Sequence, residues 1–156
     1  FFYLDVMSSL KECQIAINSI KSFKKEFLLG IHIRKGGKLP SGEKLLTVIR
    51  KVEKYKPIGI IVSCVSIEDV AEVFKDLKKI KLPFGFKINA FEHIPAGWKP
   101  DSNNPKVQLG KRDDLTPLKF AKTCIKFNKM GANIIGGCCE ITPSHIKKLK
   151  SLIWFN

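Results

Sequence analysis

The chain has 156 residues, of which 44% are hydrophobic and 27% charged, a composition typical of a single globular domain. Its longest clean apolar run, at 58–65, is strand-sized, which excludes a membrane-spanning helix. The formal charge is +14, but only three of the 28 basic residues are arginines and the lysines are scattered, so we expect a solvated lysine-rich surface rather than a nucleic-acid interface.

The apolar patterns alternate along the chain between short β-rich runs and longer runs with helical spacing. In chain order they predict a strand at 1–4, a helix at 10–23, a strand at 27–33, a helix at 45–52, a strand at 58–62 and a helix at 67–80. A fourth strand at 84–89 precedes a long polar loop, 92–111, which we expect to help cover a pocket. The last elements are a helix at 116–131, a strand at 133–135 and a helix that starts at 142.

Five βα units in succession predict a parallel sheet with right-handed crossovers. Such a sheet is either open and doubly wound or part of an eight-stranded barrel, and composition alone does not choose between the two. The chain begins with Phe1 rather than Met and enters a strand at once, so we expect that it lacks its natural start.

The five cysteines fall into two groups. Cys13 and Cys124 lie on apolar faces of predicted helices, where cysteine usually behaves as a small hydrophobic residue. Cys64, Cys138 and Cys139 follow predicted strands, so their thiols should meet at one edge of the sheet, as metal ligands do. Inert buried cysteines explain this spacing equally well. The absence of a regular disulfide spacing favours a reducing, cytoplasmic compartment.

The segment Ile135-Gly-Gly-Cys-Cys-Glu-Ile-Thr-Pro-Ser-His-Ile146 resembles the closing signature of the homocysteine S-methyltransferase family. Val62-Ser-Cys64 resembles an earlier asparagine-cysteine element of that family, and 2–5, 39–43, 85–91 and 112–117 match it in register. The resemblance implies an α/β fold, the (β/α)8 TIM barrel, of which this chain covers about strands 4 to 8. Residues 1–156 would then be the C-terminal part of a homocysteine-binding methyltransferase domain.

The resemblance also implies a reaction. Cys64, Cys138 and Cys139 would bind Zn²⁺, with the thiol of homocysteine as the fourth ligand, and a methyl group from a small donor would convert homocysteine to methionine. Glu140 resembles one branch of the family and favours a sulfonium donor such as S-methylmethionine over betaine or a methylated folate.

The same resemblance assigns the substrate contacts, with some departures from the family pattern. Asp5 stands where the family usually has a glutamate that holds the substrate amine, and Ser63 replaces an asparagine before the first zinc ligand. Asn89 is expected to line the pocket. His32 is interpreted as a hydrogen-bonded wall residue rather than a catalytic one.

Two other functions remain open from the sequence. The family's first three strands are not represented in these residues, and a partial barrel has open edges. The chain could therefore be a truncated, non-catalytic zinc-binding fragment. It could also be an unrelated α/β binding domain with buried cysteines.

Overall fold

A computed structural model of the chain describes residues 1–95 and 109–153. Each of its five strands is followed by a helix. The strands are β1 (Phe2–Met7), β2 (Phe27–Ile31), β3 (Gly59–Val65), β4 (Phe84–Ile88) and β5 (Ile134–Gly137). The helices are α1 (Leu10–Ile20), α2 (Leu45–Val52), α3 (Ile67–Leu77), α4 (Pro117–Lys129) and α5 (Pro143–Ile153). No helix in the described part of the chain is both long and apolar enough to span a membrane.

The five strands form one parallel sheet in the order β1-β2-β3-β4-β5. Doubly wound sheets reverse their strand order at a switch point, whereas a β/α barrel adds each strand beside the previous one. The observed order is that of a barrel segment. The predicted alternation of strands and helices is confirmed, and the strand order resolves the choice between the two architectures.

The two faces of the sheet differ in chemistry because successive side chains point to opposite sides of a strand. The outer face is apolar and packs against the helices, with Leu29, Ile60, Val62, Phe86 and Ile88 almost completely buried. The inner face, which lines the barrel interior, instead carries several polar and small residues: Tyr3, Asp5, Gly30, Ser63, Lys87 and Gly136. The inner face is therefore where chemistry can occur.

Side-chain caps fix the starts of three helices. The hydroxyl oxygens of Ser9, Ser66 and Thr116 each accept a hydrogen bond from the backbone N–H three residues later, which satisfies a donor that the first turn leaves free. Pro117 follows Thr116 at the start of the helix, where the missing N–H of proline costs no hydrogen bond.

Several element boundaries differ from the predictions. β1 extends to Met7, β2 ends at Ile31, and α1 gives way to a single 3-10 turn at Lys21–Phe23. Cys64 was expected after the third strand, but β3 continues through it to Val65 because both Ser63 and Val65 still pair with β4. Of the long loop at 92–111, residues 96–108 lie outside the described part of the chain.

Candidate metal centre

Three thiols converge at the carboxyl edge of the sheet. The sulfur atoms of Cys64 and Cys139 are 3.8 Å apart, those of Cys138 and Cys139 are 3.9 Å apart, and all three lie within 4.8 Å of one another. Among the described residues, this is the one group of three histidine, cysteine or acidic side chains that can hold a metal ion. The sequence predicted that these three cysteines would meet, and the fold brings them together.

Cys64 reaches the cluster through an irregularity in β3. Ser63 pairs with Lys87 and Val65 pairs with Ile88, so Cys64 is an extra residue between two regular pairs. Its φ of 56° lies in the left-handed region, which is uncommon for a residue with a side chain. A β-bulge of this kind redirects the side chain and is frequent next to active sites.

The backbone that carries Cys138 and Cys139 is fixed by the neighbouring strand β4. The N–H of Cys138 donates to the carbonyl of Ile88 at 2.7 Å, and the carbonyl of Cys139 accepts from the N–H of Ala90 at 2.9 Å. A turn follows directly, in which Ile141 N–H donates to the carbonyl of Cys138 at 3.1 Å. Gly137 is required before the pair, since a Cβ there would lie 2.3 Å from a side-chain carbon of Ile141.

Asn89 is a hydrogen-bonding partner of the metal cluster. Its side chain is buried, and Nδ2 donates to the carbonyl oxygen of Cys64 at 2.8 Å and lies 3.8 Å from the Cys64 sulfur. Its Oδ1 accepts from the N–H of Phe91 at 3.3 Å, and its own N–H donates to the carbonyl of Val65 at 2.8 Å. Asn89 therefore holds the bulge that aims Cys64 at the other two thiols.

The cluster has the donor set and spacing of a zinc site. Four ligands around Zn²⁺ at about 2.3 Å in a tetrahedron place neighbouring sulfur atoms about 3.8 Å apart, close to the two shortest separations found here. Three protein ligands leave one position for a substrate or water, which is typical of a catalytic zinc rather than a structural one. The residues present thus fit the metal that the sequence implied.

The pKa values of the three thiols are shifted in different directions. A hydrogen bond from the thiol of Cys64 lowers the pKa of Cys138, although burial opposes the shift, and the positive charge of Lys87 contributes in the same direction. The pKa of Cys64 is raised, mainly because it gives that hydrogen bond and is desolvated. Burial also raises the pKa of Cys139. In the absence of metal, Cys138 is therefore the first of the three to become a thiolate.

A second polar group lies on the inner face of the sheet beside the cysteines. Lys87 forms an ion pair with Oδ2 of Asp5, and its ammonium lies 5.1 Å from the centre of the Tyr3 ring. The Tyr3 hydroxyl is 2.9 Å from Oγ of Ser63. A Cβ on Gly30 would lie 2.5–2.9 Å from atoms of Ser63, Asp5 and Tyr3, so a glycine is needed behind them.

This polar group favours the ionised form of Asp5. Burial would raise the pKa of the Asp5 carboxyl, but its contacts with Lys87, Tyr3 and Ser63 together lower it. Burial raises the pKa of Tyr3 above its ordinary value, so the phenol remains protonated. Sequence reasoning singled out Asp5 and Ser63 but missed Tyr3 and Lys87. The alternation of Phe84, Phe86 and Ile88 on the outer face was the available signal, since it places Lys87 on the inner one.

His32 lies beside the candidate metal centre and lines a cavity of about 390 Å³ together with Cys64 and Asn89. Its Nδ1 donates to the carbonyl of Ser63 at 3.1 Å, and burial is the main reason why its pKa is lowered. Cys13 and Cys124 are completely buried in the hydrophobic core, as predicted. Each lies on the core-facing side of its helix, and neither belongs to the cluster of three thiols.

The strand order and the three convergent thiols define a β/α-barrel protein with a potential metal site at the carboxyl ends of its strands. The family model described as homocysteine S-methyltransferase matches residues 1–153, so the chain belongs to that family. The resemblance drawn from the sequence motifs is thereby confirmed.

Among solved structures, the chain is similar to the apo form of the homocysteine methyltransferase MmuM from Escherichia coli. The TM-score is 0.69 at 18% sequence identity, and the match covers 96% of this chain and 48% of that one. A similarity at this level of identity shows the fold, which is part of a barrel. The chain spans about half the length of that relative. No curated protein sequence matches it significantly.

Proposed function

We propose that residues 1–156 are the C-terminal part of a homocysteine-binding domain that transfers a methyl group from a small donor to the homocysteine thiol, with Zn²⁺ on Cys64, Cys138 and Cys139. The observation that carries this proposal is the convergence of three thiols at the edge where β/α barrels hold their active sites, with the sulfur of Cys139 3.8 Å from that of Cys64 and 3.9 Å from that of Cys138. Membership of the homocysteine S-methyltransferase family supports the reaction class.

A bound Zn²⁺ would supply a Lewis acid that lowers the pKa of the substrate thiol, which is near 8.5 when unperturbed. The chain's own part is to hold this metal with three thiolates, whose total charge keeps the site electron-rich. Asn89 keeps Cys64 in its left-handed conformation, and Asp5, Ser63 and Asn89 are proposed to contact the substrate. The dominant contribution of the protein is then alignment of donor and acceptor.

The transfer itself is a displacement on a methyl carbon. The sulfur of homocysteine forms a bond to that carbon while the bond from the carbon to the donor breaks, and the electron pair of the broken bond leaves with the donor. A sulfonium donor such as S-methylmethionine is reactive because it loses its positive charge in the transfer and leaves as a neutral thioether. The thiol proton passes to solvent. Glu140, next to the cysteine pair, supports this donor class. The need for reduced thiols supports a cytoplasmic location.

The experiment is a paired measurement of metal content and product formation. We expect the protein loaded with Zn²⁺ to retain about one metal per chain, and Cys138→Ser to lose it, because the cluster offers three ligands at most. Cys124→Ala is the matched control, since Cys124 is buried in the core and outside the cluster. Methionine formation from homocysteine is then assayed with S-methylmethionine, betaine and a methylated folate.

The outcomes separate the three functions considered. Zinc binding that depends on Cys138, together with methionine formation, supports the methyltransferase. Zinc binding without methionine from any donor would make the chain a non-catalytic metal-binding protein. A protein that binds no zinc, or that binds it equally well after Cys138→Ser, contradicts the proposed site.

A further inference from the structure

Lys87 lies at the centre of the candidate site. It is on the inner face of β4, paired in register with Ser63 on β3 and with Gly136 on β5. Those two neighbours each precede a metal-ligand candidate, by one residue on β3 and by two on β5. A Cβ on Gly136 would lie 3.3 Å from Cγ of Lys87, so the absence of a side chain there leaves room for the lysine stem.

The ion pair between Lys87 and Asp5 leaves hydrogen-bonding capacity on both partners. Lys87 contacts Oδ2 of Asp5, whereas Oδ1 of Asp5 is buried and forms no hydrogen bond of good geometry among the described residues. The hydroxyls of Tyr3 and Ser63 lie close enough to lower the pKa of the carboxyl, but they donate to neither of its oxygens in this arrangement. An ammonium carries three donors, and Asp5 is the one acceptor recorded for Lys87 in the described part of the chain. The Lys87 side chain is 20% exposed, so most of its surface is covered by the neighbouring strands. Buried groups of this kind normally find partners.

We propose that Lys87 binds the carboxylate of the amino-acid substrate while the free Oδ1 of Asp5 binds its ammonium, so that Lys87 determines the specificity of the site for α-amino acid thiols. The inference rests on the proposed function and deepens it. An α-amino acid carries one anion and one cation on the same carbon, and the Asp5–Lys87 pair offers one cation and one anion side by side. Substrate binding therefore adds two charge-assisted contacts without leaving a net charge buried.

The test compares three thiols by isothermal titration calorimetry on the zinc-loaded protein. They are homocysteine, the analogue that lacks the carboxylate (aminopropanethiol) and the analogue that lacks the ammonium (mercaptobutanoate). The substitution Lys87→Met should weaken the binding of homocysteine and mercaptobutanoate roughly 10- to 100-fold, because a hydrogen bond to a charged group is lost. The affinity for aminopropanethiol should stay within about threefold of that of the parent protein. Lys87→Arg keeps the charge and should restore most of the affinity for the two carboxylates.

Two further variants keep the experiment decisive. Lys79→Met removes a lysine from an exposed ion pair with Asp76 and should change none of the three affinities. If Lys87→Met does not fold because Asp5 is left unpaired, the double variant Asp5→Asn, Lys87→Met removes both charges. It should then bind all three thiols with similar affinity.

An equal loss for all three thiols after Lys87→Met, or no loss for any, overturns the inference. So does a zinc-loaded protein that binds none of the thiols. Methionine formation together with an equal loss would leave the proposed function standing and remove only the role of Lys87. Binding that is selective for the carboxylate, without methionine formation, would support the role of Lys87 and contradict the proposed methyl transfer.

Discussion

The hydrogen bond from Asn89 to the backbone of Cys64 is the most direct link between the fold and the metal centre. Asn89 is buried, and its Nδ2 lies 2.8 Å from the carbonyl oxygen of a residue held at a φ of 56°. Replacing Asn89→Leu keeps a side chain of similar size but removes the donor. The carbonyl of Cys64 then loses its partner, and the left-handed conformation loses the contact that stabilises it.

The size of the effect follows from those two losses. A part-buried carbonyl without a partner costs about 1–3 kcal/mol, so the free energy of unfolding of the metal-free protein should fall by about that amount. A left-handed conformation costs about 1–3 kcal/mol to hold, and Cys64 should relax away from the other two sulfur atoms. Partners that orient a metal ligand typically change metal affinity roughly 10- to 100-fold, and we expect a loss in that range.

The assay is a competition between the protein and a chromophoric zinc chelator, with urea unfolding of the metal-free protein measured in parallel. Asn128→Leu is the matched control, because Nδ2 of Asn128 also donates to a backbone carbonyl, that of Ala132, at 2.8 Å, but at the exposed end of α4. Asn128→Leu should leave zinc affinity unchanged. The reasoning is refuted if Asn89→Leu binds zinc as tightly as the parent protein, or if both variants lose affinity equally.

Two other predictions test the polar groups around the site. Gly30→Ala should destabilise the protein by about 1–3 kcal/mol in urea unfolding, because its Cβ would come within 2.5–2.9 Å of three side-chain oxygens; an unchanged free energy of unfolding would contradict the packing. Arg112 hydrogen-bonds Asp114 and Glu68 and lowers the pKa of both, so these contacts stabilise the fold above about pH 4 and are lost as the pH falls through the lowered values. Arg112→Met should therefore lower the melting temperature at pH 7 and lose less stability than the parent protein between about pH 5 and pH 3, and parallel curves would contradict it.

The parts of the fold that the sequence predicts are those with local causes. Apolar periodicity separates strands from helices, and the helix start at Thr116 is recognisable because the residue types that accept a first-turn N–H are few. The strand order was left open between two architectures. That choice depends on which strands pair, and pairing is a long-range property that the periodicity of one strand does not contain.

The candidate site shows the same division. The motifs around Cys64, Cys138 and Cys139 identify the three thiols, because their spacing after strands and their family resemblance agree. The bulge at Cys64 was missed, since it arises from how β3 and β4 pair. The ion pair of Asp5 with Lys87 joins residues 82 positions apart, and only the pairing of the four neighbouring strands β1 to β4 brings them together. Asp5 therefore stays a predicted substrate contact, and its Oδ2 is already paired with Lys87 while Oδ1 is not.

Metal binding and substrate binding depend on different parts of the sheet. The three thiols come from β3 and from the end of β5, and Asn89 follows β4 between them, so adjacent strands are sufficient to build the metal centre. Asp5 is on β1, two strands away from Cys64 on β3, and β1 supplies none of the three thiols. Substrate affinity should consequently be more sensitive to perturbation of β1 than zinc affinity is.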